Sequence, residues 1–131
     1  MKLGHPVPIL RMFDEAMARE FYVDFLGFTL DWEHRFEAGS PLYLQLSFGN
    51  CVLHLSGHFG DASPGAAFRV EVQDIDTYQQ GLLAKQYRHA RPGCAQEMPW
   101  GTRDLTIQDP SFNRITFFQP AASSASGAAA V

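Results

Sequence analysis

The residues with the clearest capacity for chemistry are aromatic, and their placement favours binding a flat, apolar molecule. Trp100 lies in the segment Pro99-Trp100-Gly101, where proline and glycine predict a rigid turn at the root of a β-hairpin. Trp32 and Phe36 are four residues apart on a predicted strand, so they point to the same face of it. A large ring at such a position either stacks on a ligand or packs at the edge of the core. For Trp100 the sequence leaves both roles open.

Groups for metal or nucleophilic catalysis are less well placed. His54 and His58 are four residues apart, but in a strand that spacing separates them by about 13 Å, too far to share one metal ion as they would on a helix. No local spacing suggests a Ser-His-Asp or Cys-His set. Cys51 and Cys94 fit neither a disulfide framework nor a zinc site. The sequence therefore predicts no catalytic residue and no cofactor, and two reduced thiols favour a cytoplasmic protein.

The composition indicates a folded domain that binds neither nucleic acid nor a membrane. A chain of 131 residues, with 46% hydrophobic and 18% charged residues, can form one packed domain or two small halves fused into one. The net charge of −4 disfavours nucleic acid as a partner and weakly favours a cationic ligand. We expect no signal peptide and no membrane span, because glycine, histidine and two prolines interrupt the start and no later apolar run is long enough.

The first half of the chain predicts a strand, a helix and three further strands. Asp14 is a plausible N-cap, and Phe13, Met17, Phe21 and Phe25 recur every four residues, as on the buried face of a helix. Gly27 is predicted to end that helix. The predicted strands are residues 7–12, 28–36, 42–47 and 51–55, with a reversal at Gly49-Asn50 between the last two.

The same order starts again after a loop at residues 57–65. Asp74 is predicted to cap a second helix, with Ile75, Tyr78 and Leu82 on its apolar face. The predicted strands are residues 68–72, 103–107 and 115–118, with at most a short strand within residues 86–97 and a turn at residues 109–113.

This repeat predicts the fold. One half cannot cover its own sheet, so we expect the two halves to pack together and share a concave cavity. The predicted fold class is α+β, with paired βαβββ modules, at about residues 5–57 and 66–119, forming a curved mixed sheet around a cavity. We expect a single domain over residues 1–120 and a flexible tail over residues 121–131.

Short motifs in both halves carry a resemblance to a known family. They are Val7-Pro8-Ile9-Leu10, residues 20–28, residues 72–76, residues 99–103 and residues 109–114. Together they resemble the glyoxalase / bleomycin-resistance / extradiol-dioxygenase superfamily, whose members are built from paired βαβββ modules. The Val-Pro opening and the Pro-Trp-Gly segment with its following Arg103 narrow the resemblance to the bleomycin-resistance proteins.

The resemblance also implies where a metal would be held. Enzymes of this superfamily usually bind a divalent metal through four side chains, and those positions fall on Val7, His54, Ala67 and Thr116. His54 is the one good ligand among them, because valine and alanine have no donor and a threonine hydroxyl rarely binds a divalent ion. The resemblance therefore implies a protein without a metal, more consistent with binding than with catalysis. His54 would then be a cavity-lining polar residue or a hydrogen-bonded core histidine.

In place of a metal, the resemblance implies a groove between two subunits in which flat antibiotic rings stack on aromatic side chains. By this resemblance the second strand and the Pro-Trp-Gly corner would supply Trp32, Phe36 and Trp100. Phe59, in the mid-chain loop, is a further aromatic candidate in the sequence. For Phe36, packing at the subunit interface is an equal alternative. A cationic part of the ligand would contact acidic residues, with Glu33, Glu37 and Asp61 as candidates.

The fifth strand departs from the antibiotic binders, because it carries Arg69 and Glu71 where an aromatic residue would be expected. On a cavity-facing side shared with Ala67, we expect Arg69 and Glu71 to form an ion pair, with a general base or a ligand anchor as the alternative for Glu71. The implied ligand-binding residues are Trp32, Phe36, His54, Phe59, Arg69, Glu71 and Trp100.

Three functions stay open. The first is a homodimeric, non-enzymatic protein that sequesters a bleomycin-like antibiotic, a glycopeptide or another aromatic metabolite. The second is a divalent-metal-dependent lyase, isomerase or transferase, which His54 and the superfamily resemblance favour. The third is a dimeric domain that serves protein contact alone. Pro8 after Val7 resembles the hinge from which an N-terminal arm crosses to the partner subunit.

Overall fold

The computed structural model describes residues 1–121 and divides the chain into two units. The first unit comprises Met1–Ala66 together with Asp109–Asn113, and the second comprises Ala67–Gln108 and the chain from Arg114 onward. The predicted tail lies outside the described residues except for Ala121, whose N–H donates to the Gly101 carbonyl at 2.9 Å.

The first unit contains a helical segment and a four-stranded mixed sheet. Its strands are β1 (Ile9–Arg11), β2 (Thr29–His34), β3 (Tyr43–Phe48) and β4 (Cys51–Ser56). They lie in the order β1-β4-β3-β2, and β1 runs parallel to β4 while the other pairs are antiparallel. Helix α1 (Glu15–Arg19) continues directly into a π-helical segment (Glu20–Phe25).

The second unit repeats this plan. It consists of β5 (Ala67–Glu71), α2 (Ile75–Ala84), β6 (Gln96–Glu97), β7 (Thr102–Gln108) and β8 (Arg114–Pro120). The strand order β5-β8-β7-β6 is equivalent to that of the first sheet, and again the first strand of the module pairs with the last in parallel. The predicted repeat and the α+β fold of paired βαβββ modules are therefore confirmed, and each module forms a sheet of its own.

Leucines bury one face of the first sheet. Leu44 and Leu46 of β3 and Leu53 and Leu55 of β4 are at most 1% exposed, as the alternation in the sequence predicts. The helical residues Phe21, Tyr22 and Phe25 are buried as well. The opposite face of β3 and β4 carries Tyr43, Gln45 and His54, and this face holds the candidate site.

The two predicted helix caps have different outcomes. The Asp14 carboxylate accepts a hydrogen bond from the Met17 N–H at 2.9 Å, so this cap is confirmed. Asp74 stands at the N-cap position of α2, but its side chain accepts no capping hydrogen bond within the described residues. The Gln119 Oε1 atom of β8 accepts the Ile75 N–H at 2.9 Å instead. The prediction that Asp74 caps this helix is therefore wrong as to the capping group.

The predicted apolar stripe of the first helix is also shorter than expected. Phe13 precedes the N-cap and is 55% exposed, with the Arg11 guanidinium 5.0 Å from its ring centroid. Gly27 ends the helical region with a φ of +96°, a conformation that glycine adopts without strain.

The turn predicted at residues 109–113 is held by a buried carboxylate. Asp109 Oδ1 accepts the backbone N–H groups of Ser111 and Asn113, each at 2.8 Å. Its Oδ2 atom accepts the Tyr22 hydroxyl at 2.6 Å and the Asn113 amide at 2.9 Å. Because this turn belongs to the first unit, it completes the polar interior of that unit from a distant part of the sequence.

Candidate ligand-binding site

A β-bulge in β2 brings the side chains of Asp31 and Trp32 together on the outer face of the first sheet. Leu30 pairs with the buried Leu46, whereas Trp32 pairs with Gln45, and the register shifts between them. The extra residue, Asp31, hydrogen-bonds Gln45 and Ser47 on that same face. The bulge therefore places an aromatic ring and a carboxylate side by side, which regular alternation would prevent.

Trp32, Tyr43 and His54 form an aromatic cluster on this face. The Trp32 ring is stacked with Tyr43 at 6.1 Å between centroids and an interplanar angle of 12°. It meets the His54 ring edge-on at 5.4 Å. Trp32 remains 44% exposed, so a flat molecule can still contact it.

A chain of hydrogen bonds links two of these rings, Tyr43 and His54, to Asp31 through Gln45. Tyr43 Oη lies 2.6 Å from His54 Nδ1, and His54 Nε2 lies 3.0 Å from Gln45 Oε1. The Gln45 amide donates to Asp31 Oδ2 at 3.0 Å, and the Ser47 hydroxyl donates to Asp31 Oδ1 at 3.0 Å. Partial burial lowers the pKa of His54 below its ordinary value, which favours the neutral ring that this arrangement requires.

An open cavity of about 430 Å³ adjoins the cluster. Phe36, which is 74% exposed, lies in it between two histidine rings, with centroid distances of 4.7 Å to His34 and 5.7 Å to His58. Asp61 is fixed by the Ser56 hydroxyl, which donates to its Oδ2 atom at 2.6 Å. The cavity is lined by Trp32, His34, Phe36, Tyr43, His58 and Asp61.

The remaining predicted aromatics lie on exposed turns of their own units. Phe59 is 93% exposed in the loop after β4, with the Arg11 guanidinium 6.0 Å from its ring. Trp100 is 63% exposed in the predicted turn, where the Gly101 N–H donates to the Met98 carbonyl at 3.0 Å and Gly101 has a φ of +94°. The rigid corner with an exposed tryptophan is thus present as the sequence indicates.

Arg69 has a different partner from the expected one. Its guanidinium binds both oxygens of Asp104 on β7, at 2.8 and 3.3 Å, and lies 4.6 Å from the Phe118 ring centroid. The hydrogen bonds from Arg69, followed by one from Thr102, keep the pKa of Asp104 low despite its burial. Glu71 is exposed at the end of β5, so the expected ion pair between Arg69 and Glu71 is replaced by one between Arg69 and Asp104.

Of the carboxylates considered for a cationic ligand, Asp61 lines the cavity, whereas Glu33 binds Arg19 and Glu37 is exposed outside the cavity lining. At the four positions of the implied metal site, His54 has both nitrogens in hydrogen bonds, and the Thr116 hydroxyl bonds that of Thr106 at 2.8 Å. Within residues 1–121, no group of three or more His, Cys, Asp or Glu side chains is arranged to hold a metal ion.

Sequence reasoning missed three residues of the cavity lining, His34, Tyr43 and His58, whereas Asp61 was among the candidate acidic contacts. Tyr43 had a usable signal, since it alternates with Leu42 and Leu44 and therefore faces away from the core. His58 lies in a loop without periodicity, so no pattern could place it in the cavity.

The sequence model of a family described as "Glyoxalase superfamily protein" matches residues 1–123. The chain belongs to the glyoxalase superfamily. Among curated proteins, none matches this superfamily member in sequence. No helix within residues 1–121 is long and apolar enough to cross a membrane.

Solved structures similar to this glyoxalase superfamily protein include two antibiotic binders. TnmS3, an antibiotic binding protein from Streptomyces sp. CB03234, is 25% identical with a TM-score of 0.72, over 92% of this chain and 99% of that one. The bleomycin-binding protein from Streptomyces verticillus, complexed with copper(II)-bleomycin, is 25% identical with a TM-score of 0.67. The match covers 93% of this chain and 98% of that one. A member of the glyoxalase/bleomycin resistance protein/dioxygenase superfamily from Sphaerobacter thermophilus, 18% identical with a TM-score of 0.68 over 89% and 98%, shares the fold.

Proposed function

We propose that this protein binds and sequesters a bulky aromatic molecule, either a bleomycin-like antibiotic or another aromatic or glycopeptide metabolite, without changing it chemically. The observation that carries the proposal is the open cavity of about 430 Å³ beside Trp32, with the exposed ring of Phe36 inside it. A cavity of this size suits a drug-sized ring system, and exposed aromatic faces stabilise such a ligand by stacking.

The likeness to TnmS3 and to the bleomycin-binding protein supports an antibiotic as the ligand, since both proteins are described as antibiotic binders and both share most of their length with this chain. The chemistry of His54 supports binding over catalysis. Both of its nitrogens are already engaged by Tyr43 and Gln45, so coordinating a metal would break one of these hydrogen bonds.

We propose that the protein acts in the cytoplasm as a homodimer whose groove includes the cavity and the other predicted ligand-binding residues, Phe59, Arg69, Glu71 and Trp100. The support for a dimer is the number of large apolar side chains that a single chain leaves in water, such as Ile9, Phe59 and Trp100. A second copy that covers them would reduce this exposed apolar area and enclose the ligand.

The proposal is tested by titrating metal-free and copper(II)-loaded bleomycin into the protein while tryptophan fluorescence is recorded. Because the chain has two tryptophans, the variants Trp32→Phe and Trp100→Phe each leave one reporter. We expect quenching of Trp32 with a dissociation constant of about 1 μM or lower. Trp32→Ala should weaken binding by about tenfold, since it removes a stacking surface and buried area.

Leu83→Ala is the matched control, because Leu83 is a similarly exposed apolar residue on α2. It should leave the affinity unchanged. If bleomycin at about 100 μM quenched neither tryptophan, a bleomycin-like ligand would be contradicted. Stoichiometric divalent metal in protein purified without an affinity tag would instead support the metal-dependent enzyme.

A further inference from the structure

The cavity has a fixed hydrogen-bonding polarity, and that polarity specifies part of its ligand. This inference deepens the proposed function and rests on it. The starting point is Asp31, whose carboxylate can accept hydrogen bonds but cannot donate them. The Gln45 atom that meets Asp31 Oδ2 at 3.0 Å is therefore the amide nitrogen, and the Gln45 carbonyl oxygen must face His54.

The direction of the next two hydrogen bonds follows from that orientation. An amide oxygen can only accept, so the His54 nitrogen 3.0 Å from it, Nε2, carries the proton. In a neutral imidazole the other nitrogen, Nδ1, then has only a lone pair. The Tyr43 hydroxyl at 2.6 Å from Nδ1 must therefore donate to it. Tyr43 has one hydroxyl hydrogen, and His54 uses it.

Tyr43 consequently offers lone pairs alone to a molecule in the cavity. Asp61, which also lines the cavity, is likewise an acceptor, and the Ser56 hydroxyl occupies only its Oδ2 atom. Burial and the negative charge of Asp61 both raise the pKa of Tyr43, so its hydroxyl proton stays in place. His34 and His58 can donate or accept, so they do not set the preference.

We propose that this cavity selects a planar ring that carries N–H donors or positive charge at its edge, and that His54 is the positioning residue that keeps Tyr43 an acceptor. The ring would stack on Trp32 and Phe36 while its donors meet Tyr43 Oη and the Asp61 carboxylate. A ring of the same shape with acceptors at that edge would leave lone pairs facing lone pairs, and it would be rejected.

Three probes with the same three-ring skeleton test this selection at pH 8. They are 9-aminoacridine, a cation with N–H donors, acridine, which is neutral and has no donor, and acridine-9-carboxylate, an anion with acceptors. Affinities are measured by the fluorescence of the probes and by calorimetry. We expect 9-aminoacridine to bind at least about tenfold more tightly than acridine, and the carboxylate to bind most weakly.

Two variants distinguish hydrogen bonding by Tyr43 from packing of its ring against the ligand. Tyr43→Phe removes one oxygen and should lower the affinity for 9-aminoacridine by about fivefold or more while changing that for acridine less than about twofold. His54→Phe keeps a ring beside Trp32 but frees the Tyr43 hydroxyl to donate. The carboxylate should then gain affinity relative to 9-aminoacridine, a reversal that loss of structure alone would not produce. Tyr78→Phe, at a tyrosine on α2 that packs on Phe117, is the control and should change none of the three affinities.

Several results would overturn the inference. Equal binding of the three probes, or tightest binding of the carboxylate, would show that the cavity does not have this polarity. If Tyr43→Phe lowered the affinity for all three probes equally, Tyr43 would contribute packing and not hydrogen-bond selectivity. If bleomycin binds and no acridine does, the inference fails and the proposed function survives. If neither bleomycin nor any acridine binds, both fail. Thermal unfolding of each variant confirms that it is folded.

Discussion

His54 uses both ring nitrogens in hydrogen bonds to its own sheet, and this determines its charge as well as its position. The Tyr43 hydroxyl can donate to Nδ1 only while the ring is neutral, because a protonated imidazole has no acceptor. The histidine at the position that by resemblance would mark a metal site is hydrogen-bonded to the phenol of Tyr43. At the scale of one residue, the hydrogen-bond partners of His54 follow from Gln45 and Asp31, which lie beside it only in the folded sheet.

The lowered pKa of His54 predicts how stability depends on pH. The unfolded chain takes up a proton at an ordinary pKa near 6.5, whereas the folded protein does so at a lower pH because burial disfavours the charged ring. The contribution of His54 is therefore complete above pH 6.5 and is lost as the pH falls through that value towards the folded pKa. Urea unfolding at pH 7.5 and pH 5 should show a larger drop for the natural protein than for His54→Phe.

Nuclear magnetic resonance titration of the five histidines gives the direct check, because His54 should titrate below the ordinary value. Titration of His54 at or above 6.5 would contradict the hydrogen-bond scheme.

Sequence patterns located the turn that carries Trp100, whereas the outward position of Trp32 depends on a bulge that alternation does not predict. Trp32 and His54 lie on the outer face of the first sheet and Phe36 follows the end of β2, while Trp100 is exposed in a turn of the second unit. Period-two alternation in β7 puts Asp104 on the face opposite Leu105, yet Asp104 is buried and bound to Arg69. Alternation gives the face of a strand but does not give the partner across it, and pairing with a cation makes burial of a carboxylate possible.

At the scale of the secondary-structure element, the two equivalent aspartates at the helix starts provide an internal comparison. Asp14→Ala should lower the free energy of unfolding by about 1 kcal/mol, because it removes the acceptor for the Met17 N–H. Asp74→Ala should cost only a few tenths of a kcal/mol, mainly through the helix dipole, since Gln119 accepts the Ile75 N–H. Equal losses in denaturant unfolding would contradict the assignment of the second cap to Gln119.

Removing the carboxylate that holds the turn at Asp109–Asn113 should lower the free energy of unfolding more than removing either helix cap. Asp109→Ala removes an acceptor of four hydrogen bonds in a site only 4% exposed and leaves the Tyr22 hydroxyl and two backbone N–H groups without it. We expect a loss of about 3 kcal/mol or more. Tyr22→Phe should cost about 1–3 kcal/mol, since it deletes one of these donors and keeps the ring. Chemical denaturation measures both, and a cost below about 0.5 kcal/mol for Asp109→Ala would contradict a structural role.

The order of the elements could be predicted from the sequence because each has a local signal of period, cap or turn. The π-helical segment at Glu20–Phe25 and the bulge at Asp31 could not. Both insert irregularity into an otherwise periodic run, and their stability depends on partners distant in sequence, such as Asp109 for Tyr22 and Ser47 for Asp31. The bulge matters most, because it turns Trp32 outward.

At the scale of the whole molecule, the proposed homodimer predicts a mass in solution of twice the 14.6 kDa of one chain. Light scattering during size exclusion should report this mass at micromolar concentration, because the exposed apolar side chains would otherwise remain in water. Trp100→Glu should shift the equilibrium towards the single chain if Trp100 lies in the interface, whereas Lys85→Glu, at an exposed polar position after α2, should not. A single-chain mass for the natural protein at all concentrations would contradict the dimer.

The membership of Asp109–Asn113 in the first unit has a consequence for the nascent chain on the ribosome. When synthesis has reached Ala66, all four strands of the first sheet exist, but the acceptor of the Tyr22 hydroxyl and the amide that bonds the Arg11 carbonyl do not. The N-terminal module therefore lacks these two hydrogen-bonding partners until Asn113 has left the exit tunnel. The hydrogen-bonded interior of this half of the protein is thus complete only after most of the other half has been translated.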